Sequence, residues 1–175
     1  MILALVGMPG SGKSTVGRQL ARRLALPFHD SDAVIEQRIG CTIRDYFAEH
    51  GEAAFRDEEQ AAIEALTDGE SAVIATGGGT VLREANRRRL HDKAQVVYLR
   101  STADEVWRRL RHDTVRPLLQ VADPHAKLRE LFAERDPLYR EAAHFVIDTG
   151  RPSVPTLVNM ILMQLELAGV LPPRA

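Results

Sequence analysis

A glycine-rich segment close to the start of the chain has the residue types that bind phosphate. Residues 7–14 read GMPGSGKS and match the pattern G-x-x-x-x-G-K-[ST] at every defined position. A loop of this kind surrounds an anion with backbone N–H groups, and the helix that follows adds the positive end of its dipole. Lys13 would contact the β- and γ-phosphates of ATP, and the Ser14 hydroxyl would bind Mg²⁺. The ATP-binding residues predicted here are Gly10, Ser11, Gly12, Lys13 and Ser14 of the segment and Thr15, which directly follows it.

Two carboxylates follow a short candidate strand at residues 27–30. Asp30 and Asp32 would emerge at the carboxyl edge of a parallel sheet, where the phosphate loop also lies. One of them could help to hold hydrated Mg²⁺, and the other could orient an acceptor hydroxyl or take its proton. The same spacing also fits a solvated turn in which the acids cap the next helix. Spacing alone leaves both interpretations open.

Three consecutive glycines, Gly77, Gly78 and Gly79, follow another candidate strand. A backbone without side chains can approach a substrate closely and offer N–H donors to an oxygen or a phosphate. A bare structural turn is the other interpretation of this run. No acidic residue ends the strand, although phosphate-loop enzymes usually carry their metal-supporting acid there, and this favours Asp30 in that role.

Three arginines occupy positions that favour anion binding. Arg56 lies in a segment of helical character, Arg116 precedes a proline in a basic stretch, and Arg135 precedes an Asp-Pro pair. A guanidinium group can hold a planar carboxylate or a phosphate through two parallel hydrogen bonds. We therefore interpret these residues as candidate anion clamps, although arginines on solvated helix faces are the commoner case.

Short apolar segments alternate with longer segments of helical period, which is typical of the α/β class. Candidate strands are residues 2–6, 72–76, 95–99 and 144–148, with a weaker candidate at 27–30. Their continuous apolar runs indicate strands buried on both faces of a parallel sheet. A helix is predicted to begin at Lys13, and the chain between Asp32 and Glu70 is predicted to be almost entirely helical.

Composition limits the classes of partner. The chain has 175 residues, of which 45% are hydrophobic and 27% charged, and these values are typical of one globular domain. A net charge of −1 gives no reason to expect nucleic acid or a membrane surface as a partner. The N-terminus lacks a secretory signal, and a single cysteine, Cys41, fits a reducing compartment. We expect a cytoplasmic protein that acts on small molecules, with a monomer as the default.

Taken together, these segments resemble the shikimate kinases. The resemblance covers about residues 1–150 and depends on the order of the motifs along the chain. After the phosphate loop come Phe28-His29-Asp30-Ser31-Asp32 with Ile35-Glu36, Phe55-Arg56 with Glu59, Gly77-Gly78-Gly79, residues 114–119 (TVRPLL), and Arg135 with Pro137-Leu138-Tyr139.

The resemblance implies a P-loop NTPase fold of the nucleoside-monophosphate-kinase type, with a five-stranded parallel sheet in the order 2-3-1-4-5. It implies one kinase domain over residues 1–170, with a substrate-binding insertion at about 32–60, a lid at about 110–124 and a frayed tail at 171–175. The implied reaction converts ATP and shikimate into ADP and shikimate 3-phosphate.

Roles on the nucleotide side also follow from the resemblance. Lys13 and Arg116 would act in catalysis, and Arg116 would belong to the lid. Arg109 would border the adenine. Ser14 would bind Mg²⁺, with Asp30 supporting the metal through water.

On the acceptor side, the resemblance implies that Asp32 binds the ring hydroxyls and acts as the catalytic base. Arg56 and Arg135 would hold the shikimate carboxylate, and Glu59 would keep Arg56 in position. The glycine run would line the site, with a backbone contact from Gly78.

Other classes of nucleotide-binding protein fit the sequence less well. A kinase for gluconate shares the loop but is not expected to carry the Phe55-Arg56 and triple-glycine segments, and a nucleoside-monophosphate kinase is not expected to carry Asp30-Ser31-Asp32. A guanine-nucleotide switch would need an Asn-Lys-x-Asp segment, which the sequence lacks. A dinucleotide fingerprint would need a third glycine where Thr15 stands.

Overall fold

The computed structural model describes residues 1–111 and 121–172. Five strands form one parallel sheet in the order β2-β3-β1-β4-β5. They are β1 (Ile2–Val6), β2 (Phe28–Asp30), β3 (Ala72–Ala75), β4 (Gln95–Arg100) and β5 (Phe145–Asp148). The α/β class and the strand order predicted above are confirmed. The weakest candidate strand is real, and its three residues pair with β3.

Helices connect the strands and cover both faces of the sheet. They are α1 (Lys13–Leu24), α2 (Ser31–Ile39), α3 (Ile43–Thr67), α4 (Glu84–Lys93), α5 (Ala103–Leu110), α6 (Pro124–Ala142) and α7 (Val154–Leu167), with a short 3₁₀ helix at Thr80–Leu82. The predicted start of α1 at Lys13 is correct. Between Asp32 and Glu70 the chain is helical apart from a short link, and α3 contains a kink at Gly51.

The side chains of β1 alternate between the two faces of the sheet, and helices bury them on both faces. Leu3 and Leu5 point to one face and pack among residues of α1 and α7. Ala4 and Val6 point to the other face, where α4, α5 and α6 contribute most of the apolar partners. All four side chains are fully buried. Because strand side chains alternate in direction, a central strand with helices on both sides must be apolar throughout.

The carboxyl ends of the strands meet at one edge of the sheet. The phosphate loop follows β1, Asp30 ends β2, and the glycine run follows β3. Ser101 and Thr149, which are both buried, follow β4 and β5. Parallel pairing therefore brings segments that are far apart in sequence to one edge, where ligands bind in open α/β sheets. Among the described residues, no helix is long and apolar enough to cross a membrane.

Candidate active site

The phosphate loop is shaped by its glycines and by Lys13. Gly10 and Gly12 have φ angles of 79° and 92°, in the left-handed region that favours glycine. Lys13 donates hydrogen bonds from Nζ to the carbonyl oxygens of Gly7 (2.8 Å) and Met8 (2.9 Å). Gly12 is the N-cap of α1, and no side chain caps this helix. The first N–H groups of α1 are therefore directed toward the loop, as anion binding requires.

Two cavities meet beside this loop. The larger, of about 410 Å³, is lined by the phosphate loop, Asp30 and Asp32. The smaller, of about 170 Å³, is lined by Arg56, Glu59 and Arg135 among others. Asp32 lines both cavities, as do Pro9, Gly77 and Gly78. A group bound in one cavity would therefore face a group bound in the other across the Asp32 carboxylate.

The Asp30 carboxylate caps α2 and also contacts the phosphate loop. Its Oδ1 accepts hydrogen bonds from the backbone N–H groups of Asp32 (3.0 Å) and Ala33 (3.4 Å), so it caps α2. Its Oδ2 accepts a hydrogen bond from the Ser14 hydroxyl at 2.8 Å. Two oxygen donors from different elements thus lie together at the start of α1, and oxygen is the ligand that Mg²⁺ prefers.

Asp32 lies in an electrostatic setting that favours its protonated form. Burial, followed by the negative charges of Asp30 and Glu59, raises the pKa of Asp32 from 3.8 to about 6, against the opposing effect of Lys13. A carboxylate with a pKa near neutrality is suited to exchange a proton with a substrate hydroxyl.

Arg56 is held by a buried carboxylate. Its Nη1 donates to Glu59 Oε1 at 2.9 Å, and the Glu59 side chain is only 1% exposed. A second ion pair, to the exposed Glu52 at 3.5 Å, is longer. The role predicted for Glu59 from the family resemblance therefore has a direct contact behind it.

Arg135, on α6, lines the same smaller cavity as Arg56. The Nε atoms of both arginines are buried, and neither has a hydrogen-bond partner among the described residues. Tyr139, one helical turn after Arg135, donates from its hydroxyl to the carbonyl oxygen of Gly78 at 2.7 Å. Burial raises the pKa of Tyr139 to about 12, with the nearby Arg135 guanidinium acting in the opposite direction. The cavity thus has two cationic groups with donors still to satisfy.

The three glycines lie so close to neighbouring side chains that a Cβ atom would not fit at any of them. A Cβ on Gly77 would lie 2.6 Å from Asp32 Oδ1, one on Gly78 would lie 2.7 Å from Pro9 Cγ, and one on Gly79 would lie 2.5 Å from Arg56 Nη2. Any larger residue would displace a side chain that lines the cavities. The N–H of Gly77 donates to Ser31 Oγ at 3.1 Å, so this N–H already has an acceptor within the protein.

Arg109 joins the phosphate loop to the ends of two strands. Its Nη1 donates to the carbonyl oxygen of Gly10 (3.2 Å) and to Ser101 Oγ (3.2 Å), and its Nη2 donates to the carbonyl oxygen of Thr149 (3.1 Å). The structure therefore places Arg109 beside the predicted nucleotide site.

Two sequence predictions fall outside the described residues. Arg116 and most of the predicted lid belong to residues 112–120, and the last three residues of the predicted tail are 173–175.

Several side chains that shape the site carried no role in the sequence analysis. Thr80 donates to Glu59, Tyr139 to Gly78, and Ser31 accepts from Gly77. These contacts join residues 21, 61 and 46 positions apart, so no local pattern could indicate them. Tyr139 lies four residues after Arg135 and therefore on the same helix face, but this spacing does not indicate its contact with Gly78.

Within the described ranges, no group of three or more His, Cys, Asp or Glu side chains is arranged to hold a metal ion. If Mg²⁺ binds between Ser14 and Asp30, these two side chains provide two oxygen ligands from the protein. Phosphate oxygens and water complete the coordination of Mg²⁺ in most nucleotide sites, so a two-oxygen site fits the ion.

Comparison with known proteins finds strong similarity to shikimate kinases. The family model described as "Shikimate kinase" matches residues 9–166. A shikimate kinase of Paracidovorax citrulli is 60% identical over 172 residues, covering 97% of this chain and 94% of that protein. A structure of shikimate kinase from Acinetobacter baumannii in complex with shikimate superposes with a TM-score of 0.90 and 44% identity, covering 97% of this chain and 94% of that one.

Proposed function

The chain belongs to the shikimate kinase family, and from this premise we propose how its side chains transfer a phosphoryl group. The enzyme phosphorylates the 3-hydroxyl of shikimate with ATP and releases shikimate 3-phosphate and ADP. The observation that best supports a division of roles is the pair of cavities that meet at Asp32. The larger cavity would hold the triphosphate, and the smaller one would hold the acceptor.

On the donor side, the N–H groups at the start of α1 and the Lys13 ammonium would bind the phosphates. Ser14 and Asp30 would hold Mg²⁺, which neutralises phosphate charge when it is bound. Arg109, through its contact with Gly10, would keep the loop fixed against β4 and β5 and border the nucleotide. Gly10, Ser11, Gly12 and Thr15 would contribute backbone groups to the same site.

On the acceptor side, Arg56 and Arg135 would bind the carboxylate of shikimate. This assignment is supported by their buried Nε atoms, which have no acceptor among the residues described. Two cationic groups on different helices would also fix the orientation of the ring, and orientation of the reacting groups supplies much of the rate in phosphoryl transfer. Asp32 would then accept a hydrogen bond, and finally the proton, from the attacking hydroxyl.

The remaining assignments are proposals from the sequence. The segment of about residues 32–60, with its own small apolar cluster around Ile35 and Phe55, would form the acceptor-binding insertion. Residues 110–124 would form the lid, with Arg116 on the transferring phosphate. The monomeric state and the cytoplasmic location stay predictions.

A coupled assay of ADP release tests the acceptor directly. MgATP is offered with shikimate, gluconate or AMP, each against a control without acceptor, and the product is identified by mass spectrometry. We expect release to be stimulated by shikimate alone, because of the three acceptors only shikimate carries a carboxylate on a ring that also bears hydroxyl groups. Stimulation by gluconate or AMP would contradict the assigned substrate, and release that is independent of acceptor would contradict the kinase mechanism.

A further inference from the structure

A buried threonine supports the carboxylate that holds Arg56. Thr80 is fully buried at the start of the 3₁₀ helix, and its hydroxyl donates to Glu59 Oε2 at 3.1 Å. The other oxygen of the same carboxylate accepts from Arg56 Nη1 at 2.9 Å. Glu59 therefore divides its two oxygens between a cation that lines the acceptor cavity and a hydroxyl that lies behind it.

The position of Thr80 is itself fixed by the backbone around it. Its N–H donates to the carbonyl oxygen of Gly77 at 3.1 Å, and its carbonyl oxygen accepts from the Asn86 amide at 3.0 Å. Asn86 is also buried, on α4. The backbone of Thr80 is thus bonded to the glycine run on one side and to α4 on the other, which fixes the position from which its hydroxyl holds Glu59 in one rotamer.

The other contacts of Arg56 do not fix its orientation as the Glu59 contact does. Its guanidinium carbon lies 5.2 Å from the Phe55 ring centroid and 6.0 Å from that of Phe47, and a ring face does not set the direction of the N–H groups. Glu52 is 63% exposed and lies at 3.5 Å, and exposed ion pairs contribute little to geometry or stability. Without the Thr80 hydroxyl, Glu59 Oε2 would be a buried acceptor without a donor, and the carboxylate would gain by turning toward solvent or a different partner. Such a rotation would break the 2.9 Å contact that orients Arg56.

We propose that Thr80 is a positioning residue for the binding of shikimate: its hydroxyl holds Glu59, and Glu59 orients Arg56. This inference rests on the carboxylate-binding role proposed above for Arg56. The hydroxyl does not line either cavity, so its effect is confined to the geometry of the clamp. Threonine at this position therefore adjusts affinity for the acceptor without contacting it.

Replacement of the hydroxyl by a methyl group isolates this effect. Thr80→Val keeps the shape of the side chain and removes the donor. We expect the KM for shikimate to rise by about 5- to 20-fold, as the loss of one hydrogen bond to a charged group implies, while the KM for ATP changes less than about twofold. Thr80→Ser restores the donor, and we expect it to return the KM for shikimate to within about threefold of wild type. Circular dichroism shows whether each variant is folded.

The outcomes separate this inference from the proposed function. Arg135→Ala serves as the reference, because it removes the other cation and should raise the KM for shikimate whatever Thr80 does. If Arg135→Ala raises that KM and Thr80→Val does not, the role of Thr80 is wrong and the clamp stands. If the wild-type enzyme shows no shikimate-dependent ADP release, the function itself is wrong. If Thr80→Val and Thr80→Ser both fail to fold, or if Thr80→Val raises the KM for shikimate and the KM for ATP equally, Thr80 serves the fold and the inference is overturned.

Discussion

Asp30 links the start of α2 to the start of α1 through one carboxylate. Oδ1 caps α2, an interaction that typically contributes about 1 kcal/mol to helix stability. Oδ2 is bonded to Ser14 in the phosphate loop. Because the cap fixes the rotamer, the oxygen that faces the loop needs no further support. A residue with a structural role in a helix end is in this way held ready for a role in the site.

Asp32, unlike Asp30, lowers the stability of the fold when it is ionised. Its pKa is raised from 3.8 to about 6, so the folded chain holds this proton more tightly than the unfolded chain does. Ionisation of Asp32 therefore lowers stability as pH rises through that interval. Carboxylates with a raised pKa are typical of functional sites. Here the negative charges of Asp30 and Glu59 help to raise the pKa of Asp32.

A histidine far from the site should make stability depend on pH. His144 Nδ1 accepts the backbone N–H of Val96 at 3.0 Å, and its ring stacks on His91 with 4.1 Å between centroids. Burial, and then the charge of His91, lower the pKa of His144 below 6.5. The unfolded chain therefore binds the proton first as pH falls, and the contribution of His144 to stability is lost below about pH 6.5.

The variant His144→Asn tests this effect, because its Oδ1 can replace Nδ1 as the acceptor and cannot be protonated. Between about pH 7.5 and about 5, we expect the free energy of unfolding to fall more steeply for the wild type, by less than about 1 kcal/mol because the ring retains access to solvent. Urea unfolding at several pH values measures the difference. Parallel curves for the two proteins would show that His144 does not titrate in this range.

At the residue scale, local chemistry could be predicted from the sequence and long-range contacts could not. The start of α1 at Lys13 is confirmed because the motif before it is continuous in sequence, while the phosphate and metal roles of Lys13 and Ser14 stay predictions. The contacts of Thr80 and Tyr139 depend on how α3 and α6 pack against the glycine run. No spacing within a single segment contains that information.

At the scale of elements, the helix that carries Arg56 and Glu59 is interrupted by one glycine. Gly51 has φ 86° and ψ 172°, while the residues on both sides are helical. This backbone region is accessible almost only to glycine. The kink changes the direction of α3 before Phe55, so the second part of the helix can direct Arg56 toward the glycine run.

Gly51→Ala should lower the free energy of unfolding by about 1–3 kcal/mol, because alanine is strained in this conformation. The added Cβ would meet no atom within 4 Å, so the effect is one of backbone conformation alone. Gly69→Ala is the matched control: Gly69 does not have a positive φ, its added Cβ would meet its nearest neighbour at 3.4 Å, and its effect should stay within about 0.5 kcal/mol. Equal losses in urea unfolding would contradict a special role for Gly51.

The sequence predicted the elements well and their interruptions poorly. Thr42 and Asp45 have the spacing of a helix N-cap, and Thr42 Oγ1 accepts the N–H of Asp45 at 3.1 Å at the start of α3. The helical character between Asp32 and Glu70 gave no sign of the kink, since a single glycine is tolerated within many helices. Strand boundaries were correct to within one residue, because apolar runs end where the sheet edge meets solvent.

At the scale of the molecule, the candidate site lies at the carboxyl edge of the sheet, and the apolar clusters that stabilise the fold lie on its two faces. Each face of the sheet carries its own apolar cluster, and the cluster that contains α1 is closed by α7. The family motifs end before α7 begins and assign it no functional role, but the four-residue spacing of Leu157, Ile161 and Leu165 predicts an apolar face that packs in the core. In the structure, Leu157, Ile161 and Leu165 are buried against the face that supports α1. The helix that begins at the phosphate loop therefore depends on the last helix for its packing.

Two substitutions in α7 separate its buried face from its exposed face. Leu165 is fully buried and Met163 is 58% exposed. Leu165→Ala should lower the free energy of unfolding by about 2–5 kcal/mol through lost burial and the cavity left behind, and Met163→Ala should change it by less than about 0.5 kcal/mol. Urea unfolding measures both. Because α7 lies remote from the two site cavities, the KM values of folded Leu165→Ala at low temperature should match the wild type. A selective rise in the KM for ATP would instead show that α7 sets the position of the phosphate loop and does more than hold α1 in the fold.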